Sequence, residues 1–237
     1  MNTQQRVTVI KHNRLSSAHR SFIREDQPAS PQGKRAATLM LIMPRHERRI
    51  YLAQLAPYLR TSLLFFAIGI GIGLSIVLVF PAIANHFEDS VANFIKTFRG
   101  LSRIELAGTI FFNNASKTLI AITLGGLFGI VPGIFLLTNG VAIGVVFSLA
   151  TQSKGLALSL LSIMPHGVLE LPAVILGTSI GFMIGNHAVK TVLRKSDAAL
   201  VVELKRGLRY FCSVIAPLLI VAAFVEAFVT SALISSF

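Results

Sequence analysis

A single cysteine, Cys212, stands in 237 residues, so no internal disulfide framework holds this chain together. Charge is also scarce. Only 14% of the residues are charged, where a soluble domain of this size carries roughly a quarter. With 53% hydrophobic residues and a mean hydropathy of +0.70, the composition argues against a water-soluble globular enzyme. No GxSxG, HExxH, Walker loop or CxxC occurs. The run GIGIG at 69–73 looks like a phosphate loop only if its apolar surroundings are ignored.

Acidic residues number 10 against 22 Lys and Arg, a formal net charge of +12. Such a balance often indicates nucleic acid, but position argues against it. Eleven basic residues lie between Arg6 and Arg60 and six between Lys190 and Arg209, with long uncharged apolar stretches between the two groups. This is the pattern of a multi-span membrane protein with basic cytoplasmic segments. The expected fold is all-α: a polytopic helical bundle of about five spans, one of them a broken helix, with interfacial amphipathic helices.

Residues 1–45 read as a disordered basic cytoplasmic tail that touches anionic headgroups or docks a partner, and 46–237 as the transmembrane helical domain. The first long apolar stretch starts only at Ser62, after a polar tail, which is not the pattern of a secretory signal. Residues 46–60, with Leu52, Leu55 and Leu59, suggest a short interfacial elbow helix. Ser62 to Ala84 carries no charge over 23 residues, and about 20 suffice to span the hydrocarbon core. Its Gly69, Gly71 and Gly73 allow a close helix neighbour. Phe87 to Glu105 places Phe87, Val91, Phe94, Ile95, Phe98 and Leu101 on one helix face, which predicts a helix lying in the interface.

Thr118 to Thr138 is an uncharged run of 21 residues with Ala121, Gly125, Gly129 and Gly133 every fourth position, and Pro132 should kink it. Asn139-Gly140 suits a turn before a short third segment, 139–152. Asn113 and Asn114 precede the second span as helix caps. Within 156–188, Pro165, Gly167 and Pro172 interrupt an apolar stretch and predict a broken helix that must face protein or a wet cavity. A small-residue stripe follows at Ala173, Gly177, Gly181 and Gly185. His187 to Arg209 reads as a basic loop, and Tyr210 to Phe237 as the last apolar stretch. The positive-inside rule then gives spans near 62–84, 115–138, 139–152, 156–188 and 210–234, with the N-terminus inside and the C-terminus outside.

Ionisable residues within these spans are few: His166, Glu170 and Glu226, with Lys117 and His187 at edges. A charge near the bilayer centre costs about 2.5–3.5 kcal/mol on insertion scales, so their presence needs a reason. One reading is a clasp, in which the two glutamates are protonated or paired with His166 and with backbone freed at the break. A proton or cation path is another. A metal site is disfavoured, because zinc takes three or four protein ligands and Cys212 lies elsewhere.

FFNN at 111–114, LLTNG at 136–140 with Gly144 after it, PHGVLELPA at 165–173 and VEAFVT at 225–230 resemble the stage II sporulation protein M family. The resemblance runs from about Tyr51 to Ser231. It implies an integral membrane protein of about five helices, with no known catalytic activity and no cofactor. The namesake holds peptidoglycan hydrolases at the septum during engulfment, but members also occur in bacteria and archaea that never sporulate. The function expected is therefore a non-enzymatic membrane scaffold that recruits protein partners through its tail, elbow or outer helix. The partners expected are the lipid bilayer, membrane or extracytoplasmic proteins and a second copy, with no nucleic acid. The alternative is a small transporter or ion-coupled permeation protein with its site at the broken helix. An intramembrane hydrolase is disfavoured by the missing nucleophile and ligands.

Overall fold

Leu, Ile and Phe dominate the residues after Ser62, and nothing before Ser62 stops a helix. The computed structural model describes residues 42–80, 100–193 and 200–230, with side chains except at 162–163, 165–169 and 229–230. The basic tail to residue 41, and 87–99 of the expected interfacial helix, lie outside the described residues. In the structure the elbow and the first span are one helix, α1 (Arg45–Val79). Pro57 sits inside it without ending it, since proline removes one backbone donor and its fixed φ is itself helical.

Helix α2 (Arg103–Thr123) opens on a capping box. Ser102 Oγ accepts from the Glu105 backbone N–H at 3.3 Å, and Glu105 Oε2 accepts from the Ser102 N–H at 2.8 Å. With Gly100 at φ +97° just before the cap, Arg103–Glu105 begin a new helix and do not end the expected 87–105 one. Asn113 and Asn114 fall in the interior of α2 and not at its cap.

The apolar run 118–138 is not one span. It divides at a 3-10 turn (Leu124–Gly126), followed by Phe128 at φ +55° and Gly129 at φ +77°. Helix α3 (Ile130–Lys154) starts there, and Pro132 lies in its first turn, where no intrahelical N–H bond is missing. The proline therefore starts a helix where a kink was expected. Asn139 and Gly140 are consequently inside α3, and the Asn139 side-chain amide donates back to the Phe135 carbonyl at 2.7 Å. Gly155 at φ +79° alone separates α3 from α4 (Leu156–Val192).

Helix α4 is continuous, so the break expected at Pro165, Gly167 and Pro172 is absent. Two prolines seven residues apart each delete one hydrogen bond, and a membrane helix tolerates this where packing supports it. The expected basic loop 187–209 is mostly helix: the end of α4, then α5 (Leu200–Tyr210). The chain continues through a π turn (Phe211–Ile215), α6 (Ala216–Val225) and a second π turn (Glu226–Thr230). Pro217, which has no N–H, stands just after the first π turn, and the Ala216 N–H bonds to the Phe211 carbonyl five residues back.

Two seams of small residues set the packing. At Gly69 an added Cβ would lie 2.6 Å from the Leu137 oxygen, and at Gly73 it would meet the Val141 oxygen. Gly140 and Gly144 answer from the other side, against Phe66–Ile70 and Ile70–Leu74. Residue numbers rise together along this seam, so α1 and α3 run parallel. Gly71 meets nothing and faces away. In the second seam Gly177 faces Thr118, Gly181 faces Ala121 and Gly125, and Gly185 faces Gly129. The two stripes visible in the sequence at 121–129 and 177–185 thus mate with each other, and α2 runs parallel to α4. Leu200 and Ile184 both approach Gly126, and Ile180 approaches Gly207, so the last helix runs antiparallel to α4. The five helical stretches therefore alternate in direction, with α4 in contact with all the others. Four of them are long and apolar enough to cross a membrane: Arg45–Val79, Ile130–Lys154, Glu170–Val192 and Leu200–Phe228.

Candidate functional site

Helix α4 brings its polar residues into the interior. Glu170 is 2% exposed, and Ser159, Thr178 and Ser179 are fully buried. Glu226 is half-buried and opens the second π turn, which packs against both α2 and α4. On one unbroken helix, positions 166 and 170 share a face; the side chain of His166 is among those outside the described set. Helix α4 and the last helix do share a core, with Ala173, Ile180, Met183 and Ile184 packed with Tyr210, Phe211, Ile215 and Leu219. The stripe glycines of α4, however, are occupied by α2 and the 124–129 turn and not by the last helix.

Hydroxyls tie α4 to α1. Ser62 and Ser179 Oγ atoms are 2.9 Å apart, and Thr178 Oγ1 lies 3.4 Å from Ser62. Thr178 and Ser179 also donate to carbonyls of their own helix, at 2.9 Å to Val174 and 2.6 Å to Ile175. Nearer the Arg45 end, the Asn186 amide donates to Tyr58 Oη at 2.6 Å. None of these residues was singled out from the sequence. A serine or threonine in a helix looks ordinary there, because it can satisfy itself on the backbone; the small stripe at 177–185 was the only hint that this face is crowded.

At the Arg45 end, the first four turns of α1 meet α5 in a polar platform. The Tyr51 and Tyr210 rings lie 5.1 Å apart, and the Arg206 guanidinium sits 5.0 Å from the Tyr51 centroid. Arg206 also donates to Glu203 at 2.8 Å and to Gln54 at 3.1 Å, and Arg209 to Glu47 at 3.4 Å. The Met43 N–H donates to Ser213 Oγ at 2.7 Å, which anchors the chain just before α1 to the first π turn. Ion pairs as exposed as Arg209–Glu47 contribute at most about 1 kcal/mol. What fastens the platform is the burial of Tyr51, Leu55, Tyr210 and Met43.

Among the described residues, no group of three or more His, Cys, Asp or Glu is gathered as a metal site would require. The family described as Stage II sporulation protein M matches residues 62–231. An uncharacterised protein of Methanocaldococcus jannaschii is 27% identical over 123 residues, covering 52% of this chain and 69% of that protein. No solved structure matches.

Proposed function

The chain belongs to the stage II sporulation protein M family, and from that premise we propose that it is a non-enzymatic scaffold of the cell membrane that recruits partner proteins. The observation that carries this reading is the platform at the Arg45 end. It is fastened to the bundle by buried aromatics while Arg45, Arg49 and Lys205 stay exposed on its surface. A rigid bundle with both seams closed at backbone distance suits holding better than cycling between states. The platform then faces the cytoplasm, as its basic residues require by the positive-inside rule, and the chain leaves the bundle on the other side.

The test is affinity purification in mild detergent of the full chain and of a charge-reversed platform carrying Arg45→Glu, Arg49→Glu and Lys205→Glu. The expected result is loss of specific co-purifying proteins from the variant with unchanged thermal stability. An identical set of partners with both proteins would overturn the platform reading.

The buried Glu170 favours a second reading, in which it and Glu226 serve a proton or cation path. Proteoliposomes separate the two. The scaffold expects no flux above protein-free vesicles and a mild effect of Glu170→Gln on stability. The path expects a flux that the same substitution abolishes with folding intact.

A further inference from the structure

Lipid surrounds a membrane bundle, so an outward face at headgroup level meets headgroups, and its residues decide which kind it holds. The first four turns of α1 present such a face. Arg45–Val79 is long and apolar enough to cross, and Arg60 stands directly before its uncharged part, which begins at Thr61. Ahead of that point the helix leaves α4 and moves sideways along the last helix. Tyr58 holds Asn186 of α4, whereas Gln54, Glu47 and Met43 meet Arg206, Arg209 and Ser213 in turn. Its buried Tyr51 and Leu55 share a core with Ile180 and Ile184, which lie inside the apolar stretch Glu170–Val192 of α4. These turns therefore lie beside the bundle and not above its end. The face opposite Tyr51 carries Arg45, Arg49, Ala53, Ala56 and Arg60, all exposed and three or four residues apart. Ile50 and Leu52 flank it, 46% and 42% exposed. Both acids described at this end are turned inward, Glu47 onto Arg209 and Glu203 onto Arg206. Arg45, Arg49 and Arg60 have no hydrogen bond or ion pair among the described residues.

We propose that this face of α1 is a seat for anionic phospholipid. The three guanidiniums hold headgroup phosphates, while the two alanines, Ile50 and Leu52 lie against the upper part of the acyl chains. A zwitterionic headgroup sets an ammonium against each phosphate, so cations unopposed by any outward acid select lipid of net negative charge. Guanidinium meets phosphate through two parallel N–H donors, and its long stem lets the helix sit below the level its charge reaches. An acidic protein would satisfy the same cations. The apolar residues between and beside them decide for lipid, because they match acyl carbon and not a charged, hydrated protein surface. Helix α5 continues the mixture, with Lys205 beside Val201 and Val202, 60% and 52% exposed. The seat goes beyond the scaffold reading: it shares Arg45 and Arg49 with the platform, but it fills whether or not a protein docks.

The chain contains no tryptophan, so one can be introduced as a local probe. In the full chain, Ile50→Trp and Leu52→Trp report from the two flanks of the seat. Ile134→Trp on α3, 57% exposed, reports from lipid elsewhere on the bundle. Each variant is reconstituted in vesicles of phosphatidylcholine and phosphatidylglycerol, with one or the other brominated on its acyl chains, and fluorescence quenching gives the relative affinity at that position. At residues 50 and 52 phosphatidylglycerol should be preferred at least about fivefold, the weight of a single cation at an anionic surface, and less at high salt. At residue 134 the two lipids should quench alike. Arg45→Gln, Arg49→Gln and Arg60→Gln together should abolish the preference at residue 52 while leaving thermal stability in neutral detergent unchanged, since none of the three bonds within the described chain. Inorganic phosphate should alter the preference no more than chloride at the same ionic strength; displacement by it would mean a site for free phosphate and overturn the proposal. So would equal quenching at residues 50 and 52, a preference as strong at 134, or one that survives the triple substitution. The vesicles hold no partner protein, so failure here leaves the scaffold reading standing. Equal quenching together with loss of partners from the charge-reversed platform would assign these arginines to protein.

Discussion

A methyl group added at Gly140 would enter the backbone of α1 between Phe66 and Ile70, and helix axes cannot separate locally to admit it. Gly140→Leu should therefore lower stability by about 3 kcal/mol or more, above the usual range for overpacking, read as a fall in the thermal midpoint in detergent. Gly71→Ala, two residues from Gly69 on the same helix, should be neutral or stabilise by up to about 1 kcal/mol, because alanine is the better helix former and the site is open. Equal effects at both positions would mean that the α1–α3 seam is not the close contact described. The buried hydroxyls behave differently. Removing Ser62 Oγ strands nothing, because Thr178 and Ser179 keep bonds to their own carbonyls. Ser62→Ala should thus cost about 0.6 kcal/mol, the average for such pairs in membranes. Ser62→Leu, forced into a fully buried position, should cost about 1–3 kcal/mol. A denaturation series in mixed micelles orders the two.

Hydropathy locates helices well and their ends poorly, and the division at 124–129 illustrates why. Thr118–Thr138 holds 21 uncharged residues, the length of one span, so apolarity alone cannot reveal that Thr118 and Thr138 belong to different helices. The deciding signals are local: Gly125-Gly126, then Phe128-Gly129 with positive φ, then a proline in the first turn of α3. The capping box at Ser102 and Glu105 is equally visible as S-x-x-E and marks the start of α2. In α4 the reverse happened: prolines that break a helix in water are carried within one continuous helix whose later part, from Ala173, is buried in the bundle. The small-residue stripes were legible in full, since a glycine every fourth residue has few other uses in an apolar helix, but which stripe meets which was not. Cysteine mapping checks the relocated turn. With Cys212 replaced, Leu127→Cys, at a position 54% exposed in the turn, should react with a membrane-impermeant maleimide from one side. Asn139→Cys, in the interior of α3, should not. Labelling at residue 139 and protection at 127 would restore the turn to Asn139-Gly140.

The alternation of five helical stretches carries a topology with it. On the proposed cytoplasmic placement of the Arg45 end, five crossings put a reporter fused after Phe237 outside the cytoplasm and one fused at Met1 inside, so a reporter active only outside should work at the first position and fail at the second. Activity at both ends, or at neither, would mean an even number of crossings, most simply because the polar α2 does not traverse. The parallel seam between α1 and α3 also fixes an order of assembly. Gly73 and its mate Gly144 are 71 positions apart in the sequence, and at roughly 5–20 residues per second the ribosome needs several seconds to supply the second after the first. A parallel pair cannot form as a hairpin, so throughout that interval α1 sits in the bilayer with its glycine face uncovered. A nascent chain halted before Ile130 would present that groove to whatever insertion factor or neighbouring helix is at hand. The α1–α3 pair can thus close before α4 has been made, whereas the last helix, which shares a core with α4, is supplied only after it.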